Sequence, residues 1–344
     1  MSVPVIAFFN NKGGVGKTTL VYHLSWAFAD LDQNVLAVDL DPQANLTSSF
    51  LDEDRLEELW PDGPHEKTVY GCVEPLVRGI GDILDEPYII DIDQRLHLLP
   101  GDLDLARFED ELSRQWPLCL DKDERAFRVI SAFWRMMQNA AQATGTELIL
   151  VDLGPNLGAI NRSVLVSSDF LVVPLTPDLF SLQGLRNIGP TVRKWRKEWK
   201  ARRNQNPVKD LKLPFGGIIP LGYVVMQHAV RADRPVKAYE RWITRIPRIY
   251  AEEVLGTRLN RLEVILQLQS DSNLLGLVKH YRSLIPMSME AHKPMFHLLP
   301  ADGAIGSHYH TVQESGNNFK ELAKKIEKEY KLKKLIRRLK NSEN

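Results

Sequence analysis

The run Lys12-Gly13-Gly14-Val15-Gly16-Lys17-Thr18-Thr19 constrains this chain more than any other stretch of it. It follows an apolar, β-prone segment, Val3 to Phe9, and opens a helical pattern from about Lys17 to Leu31. Strand, glycine loop and helix in that order make a phosphate cradle. Glycines let backbone N–H groups close around phosphate oxygens, and the helix turns its positive end toward them. Lys17 is placed to reach β- and γ-phosphates, and the Thr18 hydroxyl to ligate Mg²⁺. The common form of the loop has glycine five residues before Gly16, where this chain has Asn11. The bland alternative is a glycine-rich helix entry with no ligand.

Further apolar runs end in telling residues: Val35 to Val38 in Asp39, Leu148 to Val151 in Asp152, and Phe170 to Val173 in Pro174. Continuous apolar strands separated by helical stretches predict a doubly wound, mostly parallel α/β sheet covered by helices on both faces, with ligands at the carboxyl ends of the strands. Gly217 to Met226 and Leu284 to Met287 read as additional strands, and Asn318 to Leu339 as a closing helix. One domain over residues 1–344 is expected, with elaborations at about 51–94 and 231–279 and a basic C-terminal helix at about 318–340. A two-domain arrangement is the alternative.

Composition removes several classes of function. The two cysteines, Cys72 and Cys119, lie far apart, which suggests no disulfide framework, zinc site or iron–sulfur cluster. The first ten residues lack the basic region of a secretory leader, and no long uncharged apolar run is present. A soluble cytoplasmic protein is expected. His308 and His310 have no carboxylate pattern beside them and read as structural.

Two acidic motifs complete the candidate site. In Val38-Asp39-Leu40-Asp41-Pro42-Gln43, alternation along a strand end would turn Asp39 and Asp41 the same way, toward the phosphates; a simple turn and helix cap at Asp41-Pro42 is the alternative. Leu148 to Val151 followed by Asp152-Leu153-Gly154-Pro155 reads as a strand delivering a second carboxylate.

Together these motifs resemble the deviant Walker-A family that includes ParA, Soj and MinD, whose hallmark lysine corresponds to Lys12. Weaker likenesses at Leu96 to Ala106, Pro177 to Leu185, and Pro286 to Ala323 extend the resemblance over most of the chain. It implies an ATPase that sandwiches two ATP molecules between two subunits, with Lys12 reaching the nucleotide of the opposite subunit. The nucleotide-binding set would be Gly13, Gly14, Val15, Gly16, Lys17, Thr18 and Thr19. Thr18 and Asp39, and Asp152 through water, would hold Mg²⁺; Asp41 would orient the attacking water, and Lys12 and Lys17 would neutralise charge. Turnover would be slow without an activating partner, ParB-like or other. Gly154 stands where the family has the first proline of Asp-x-Pro-Pro. The implied role is plasmid or chromosome partition, or cargo positioning, in the cytoplasm on the nucleoid. A nitrogenase-reductase-like carrier shares the glycine loop but needs cysteines this chain does not offer.

Equal numbers of basic and acidic residues, 44 of each, hide strong segregation. From Arg186 to Lys212 ten basic residues face two acids, with Trp195 and Trp199 interleaved, as for sequence-independent DNA backbone binding. Arg193 and Arg231 are the individual DNA candidates, and the Thr191-Val192-Arg193 run resembles the Soj helix that supplies a DNA-contacting arginine. The alternative is a solvated helix face with inward tryptophans. From Lys320 to Lys340 ten basic residues face three acids, with Leu332, Leu335, Ile336 and Leu339 near helical spacing. That tail reads as a helix packed on the domain, as a MinD-like membrane-surface anchor, or as extra DNA affinity. A nucleotide-gated module binding only protein partners is a further functional alternative.

Overall fold

A computed structural model of the chain describes residues 2–228, 230–231, 234–235, 241–257, 271–281, 283–304 and 306–342. Within the 231–279 elaboration, residues 232–233, 236–240 and 258–270 lie outside the described residues.

The strands are β1 (Val5–Phe8), β2 (Val35–Leu40), β3 (Ile90–Asp93), β4 (Leu96–Leu99), β5 (Leu148–Leu153), β6 (Phe170–Leu175), β7 (Ile219–His228), β8 (Val230–Arg231), β9 (Arg234–Pro235) and β10 (Leu274–Lys279). Eight of them form one sheet in the order β10-β7-β6-β1-β5-β2-β4-β3, and β8 pairs with β9. Neighbours in the large sheet run parallel except β3 and β4, which are antiparallel. Val5 and Ala7 of β1 pack into one apolar layer and Ile6 and Phe8 into the other, so both faces of the sheet are buried. The expected doubly wound α/β fold is the one observed.

Strand order fixes where chemistry gathers. β1 lies between β5 and β6, and the helix Lys17–Ala29 leaves its carboxyl end. β2 pairs with β5 in a register that sets Asp39 directly opposite Asp152. Two carboxylates 113 residues apart in sequence are thus neighbours at one edge of the sheet.

One expected strand is a helix. Leu284 to Met287 falls in the helix Leu284–Glu290, while the edge strand is β10. Four apolar residues cannot separate the two periods, and Pro286 sits in the helix's first turn, where its missing N–H forfeits no intrahelical bond. The closing helix runs from Ser307 to Ser342, longer than the sequence pattern suggested. Phe319, Leu322, Ala323, Ile326 and Tyr330 are buried against the body. No helix among the described residues is long and apolar enough to cross a membrane.

Candidate nucleotide site

Gly14 and Gly16 take positive φ angles of 70° and 85°, which lets the loop curl around the start of the helix Lys17–Ala29. At Gly16 even the space is spoken for, since a Cβ there would stand 3.1 Å from Met226 Cε. Val15 is fully buried and anchors the loop from beneath. The loop borders a cavity of about 430 Å³ lined by Gly13, Gly14, Gly16, Lys17, Thr18 and Thr19 and, across from them, Asp41, Gln43, Asn45, Ser48, Ser49, Pro155 and Met289.

Lys17 is buried, and desolvation pulls its ammonium below the usual lysine range while Asp152 and Asp41 hold it up. Thr18 Oγ1 donates to Asp152 Oδ2 at 2.6 Å, and Asp152 Oδ1 is buried without a hydrogen-bond partner. Burial first, then the charge of Asp39, pushes the Asp152 carboxyl up to about 8, against the pull of Thr18 and Lys17. A buried carboxylate oxygen left unpaired beside a threonine hydroxyl suits a hard divalent cation, and Mg²⁺ needs only one or two carboxylates when phosphates supply other oxygens. Among the described residues no group of three His, Cys, Asp or Glu side chains could hold a metal by itself.

The two carboxylates at the end of β2 have different surroundings. β2 ends at Leu40, so Asp41 belongs to a turn and the strand alternation stops before it. Asp41 lines the cavity, its Oδ1 accepting from Gln43 N–H at 3.1 Å. Asp39 stands behind, fully buried, with Oδ2 accepting from both the N–H and the hydroxyl of Thr47 at 2.8 Å. Burial raises its carboxyl to about 7 in spite of these bonds. Gly101 closes that corner: its N–H donates to Thr47 Oγ1 at 2.8 Å, and a Cβ on it would lie 2.7 Å from Asp39 Cγ.

The loop after β5 is pinned rather than loose. Asn161 Nδ2 donates to the carbonyls of Gly154 at 2.7 Å and Asn156 at 2.6 Å, and Glu109 caps the following helix through the N–H groups of Ala159 and Ile160. Gly154 faces Asp41, since a Cβ there would stand 3.1 Å from Asp41 Oδ1. The departure from Asp-x-Pro-Pro thus leaves room for the Asp41 carboxylate.

A family model described as an AAA domain matches residues 3–205. Soj of Bacillus subtilis is 30% identical over 189 residues, 55% of this chain and 64% of Soj. The chromosome partitioning protein ParA of Caulobacter vibrioides is 28% identical over 257 residues, 69% of this chain and 87% of ParA. The crystal structure of protein DIP2308 from Corynebacterium diphtheriae superposes with a TM-score of 0.67 at 31% identity, covering 84% of this chain and 97% of that one. The chain belongs to the ParA/MinD superfamily of P-loop ATPases.

Of the loop residues singled out in the sequence, Lys12 does not line the cavity. Its ammonium donates to Thr176 Oγ1 at 2.9 Å and pairs with Asp178 Oδ2 at the carboxyl end of β6. Asp178 also caps the helix Leu179–Arg203, its Oδ1 accepting from Ser181 N–H at 2.9 Å. An aspartate just before a helical run is readable as an N-cap in sequence, but its hold on Lys12 is not.

Arg193 is not a free surface cation. Its guanidinium donates to the carbonyls of Glu253 and, at 3.2 Å, Val254, at the end of the π-helical turn Tyr250–Leu255. Arg231 lies on β8, and its side chain is outside the described ones. Trp195 and Trp199 are buried, with Trp199 Nε1 donating to the Pro214 carbonyl at 3.0 Å, so the tryptophans of the basic helix pack inward.

Sequence reading missed His23. It is buried, its Nδ1 faces the Thr19 carbonyl at 2.7 Å, and its Nε2 accepts from Met295 N–H at 3.2 Å. That geometry fixes a neutral ring with its proton on Nδ1, and burial drives its pKa down to about 4. His23 stacks on Phe319 with centroids 4.9 Å apart, tying the phosphate-loop helix to the C-terminal helix.

Proposed function

We propose that this chain is a nucleotide-driven switch of the ParA kind. It binds ATP with Mg²⁺, pairs with a second copy across the nucleotide, holds nonspecific DNA in that state, and is reset by slow hydrolysis that a ParB-like or other partner accelerates. The observation that carries the reading is the grouping of buried Lys17, the Thr18–Asp152 pair with its unpaired oxygen, and Asp41 around one cavity at the sheet's carboxyl edge. Plasmid or chromosome partition, or positioning of another cargo, is the role that fits its relatives.

In this reading Gly13 to Thr19 wrap the phosphates, and Lys17 meets the β- and γ-oxygens. Thr18 and Asp152 hold Mg²⁺ with Asp39 behind them, and the bound ion supplies neutralisation of charge that develops on the phosphate oxygens. Asp41 orients the attacking water, with Gln43 N–H fixing its carboxylate. Lys12 leaves Asp178 to reach the nucleotide of the second copy.

A second reading, a switch that works on a membrane surface, draws support from the end of the C-terminal helix. Leu332, Leu335, Ile336 and Leu339 are 42 to 56% exposed there, along one stripe with lysines and arginines beside them.

Light scattering of the wild-type chain and of Asp41→Ala, with ATP·Mg²⁺ and with ADP, tests the switch. A dimer that appears only with ATP, accumulates in Asp41→Ala and is lost in Lys12→Ala supports it. A monomer under all conditions sinks it.

A further inference from the structure

Two basic stretches more than a hundred residues apart in sequence meet in the fold. The helix Leu179–Arg203 carries Arg193, Arg196, Lys197, Lys200 and Arg203 at near-helical spacing, and these residues line a groove of about 430 Å³ beside Phe215. The C-terminal helix supplies Arg337 to the same place. Its guanidinium lies 4.0 Å from the centroid of the Phe215 ring, and that of Arg203 lies 4.7 Å from the same centroid. A Cβ on Gly217 would come within 2.9 Å of Arg337 Nη2, so the arginine reaches the floor of the groove.

The cations crowd one another. Burial pulls Arg337 below the usual arginine range, Asp169 opposes this, and Arg196 and Arg203 add to it. Among the described residues, Asp169 stands 3.5 Å from Arg337 and Glu198 3.9 Å from Lys194. Asp169 is itself engaged by the N–H of Val5 at 3.1 Å. Lys333 fastens the C-terminal helix to the start of β7, donating to the carbonyls of Pro220 and Leu221 at 2.9 Å. The arrangement is built, and among the described residues its six cations, Arg337 included, outnumber these two carboxylates.

We propose that the far end of the helix Leu179–Arg203 and the C-terminal helix form one composite groove, centred on Phe215, that grips the sugar-phosphate backbone of duplex DNA without reading its sequence. The inference rests on the DNA-binding reading above and moves the contact away from Arg193. From Arg196 to Arg203 the stripe runs ~10 Å, at 1.5 Å per residue. A duplex presents one phosphate charge per about 1.7 Å of its axis, so the stripe is long enough to meet several. Guanidiniums held over a ring keep their donor forks available for phosphate oxygens. Phe215 is the one large apolar side chain among the groove's described lining residues, the others being arginines, lysines and glycines, which favours a phosphate backbone over a bilayer. The groove also lies roughly 30 Å along the helix from Asp178, so DNA and nucleotide would occupy opposite ends of one rigid element.

The test is fluorescence anisotropy of a random-sequence duplex with the full chain, Mg²⁺ and a nonhydrolysable ATP analogue, over a salt series. Lys197→Gln with Lys200→Gln should lower the slope of log affinity against log salt by about two, and Arg337→Gln by about one. Lys197 and Lys200 are exposed, so their double variant probes the groove without risk to the fold, and analogue binding by each variant checks the nucleotide site. A wild-type chain that binds DNA with slopes unchanged in these variants overturns the groove and leaves the DNA reading standing. Absence of wild-type binding at low salt overturns the DNA reading itself. Loss of binding to phosphatidylglycerol vesicles in the same variants, with DNA binding intact, assigns the groove to lipid and overturns the proposal.

Discussion

Lys12 is paired with Asp178, the residue that caps the long basic helix, and not with anything in the nucleotide cavity. Both side chains are about one-third exposed, and an ion pair in that setting is worth at most about 1 kcal/mol. Asp178→Asn keeps a good N-cap and removes the charge that holds Lys12. The ATP concentration needed for half-maximal dimer should fall by up to about fivefold, read by light scattering across an ATP titration. An unchanged or higher midpoint would show that Asp178 does not restrain Lys12.

Asp41→Ala should leave ATP binding intact and slow phosphate release by about a hundredfold, the low end of what a positioned acid–base group contributes. Single-turnover phosphate release beside equilibrium nucleotide binding separates the two effects. Loss of binding with hydrolysis would place Asp41 in the binding machinery instead.

Gly154→Ala puts a methyl group 3.1 Å from Asp41 Oδ1, closer than the pair tolerates without a shift of a few tenths of an ångström. Turnover should drop about tenfold with ATP affinity preserved, because small misplacements of a water-orienting group are costly. Wild-type turnover in this variant would mean that the loop yields without moving Asp41.

His23 gives the fold an acid-sensitive point. Its folded pKa of about 4 lies below the unfolded value of 6.5, so the unfolded chain binds the extra proton first as pH falls. Its contribution is complete above pH 6.5 and lost between 6.5 and 4, by roughly 3 kcal/mol at most. Asp39 and Asp152, with raised values, slope the other way between pH 4 and 8. Comparison with His23→Leu isolates the histidine. Going from pH 7 to pH 4.5, the urea midpoint of that variant should move toward higher urea relative to the same change in the wild-type chain; an identical change in both would remove His23 as the cause.

Arg193→Ala removes a side chain that binds two carbonyls, so it should destabilise the chain by about 1 kcal/mol in urea denaturation. Its effect on the DNA salt slope should be smaller than that of Lys197→Gln with Lys200→Gln. The opposite ranking would return Arg193 to the role its resemblance to Soj suggests.

The sequence by itself determined the phosphate loop, the strand ends at Asp39 and Asp152, and the parallel α/β sheet, because each rests on short-range rules. Glycines in a tight loop, continuous apolar runs and a helix start are all local. The short run Leu284 to Met287 misled for the same reason: too few residues to distinguish a strand period from a helical one. Only the tertiary structure decided what Lys12 holds, that Arg193 is tied to Glu253 and Val254, that Asp39 sits behind Asp41, and that Arg203 and Arg337 meet on Phe215. These contacts join residues from 12 to 166 positions apart, or turn on where a strand stops. No local periodicity encodes them, because they are set by which strands lie side by side and which helices cross the sheet.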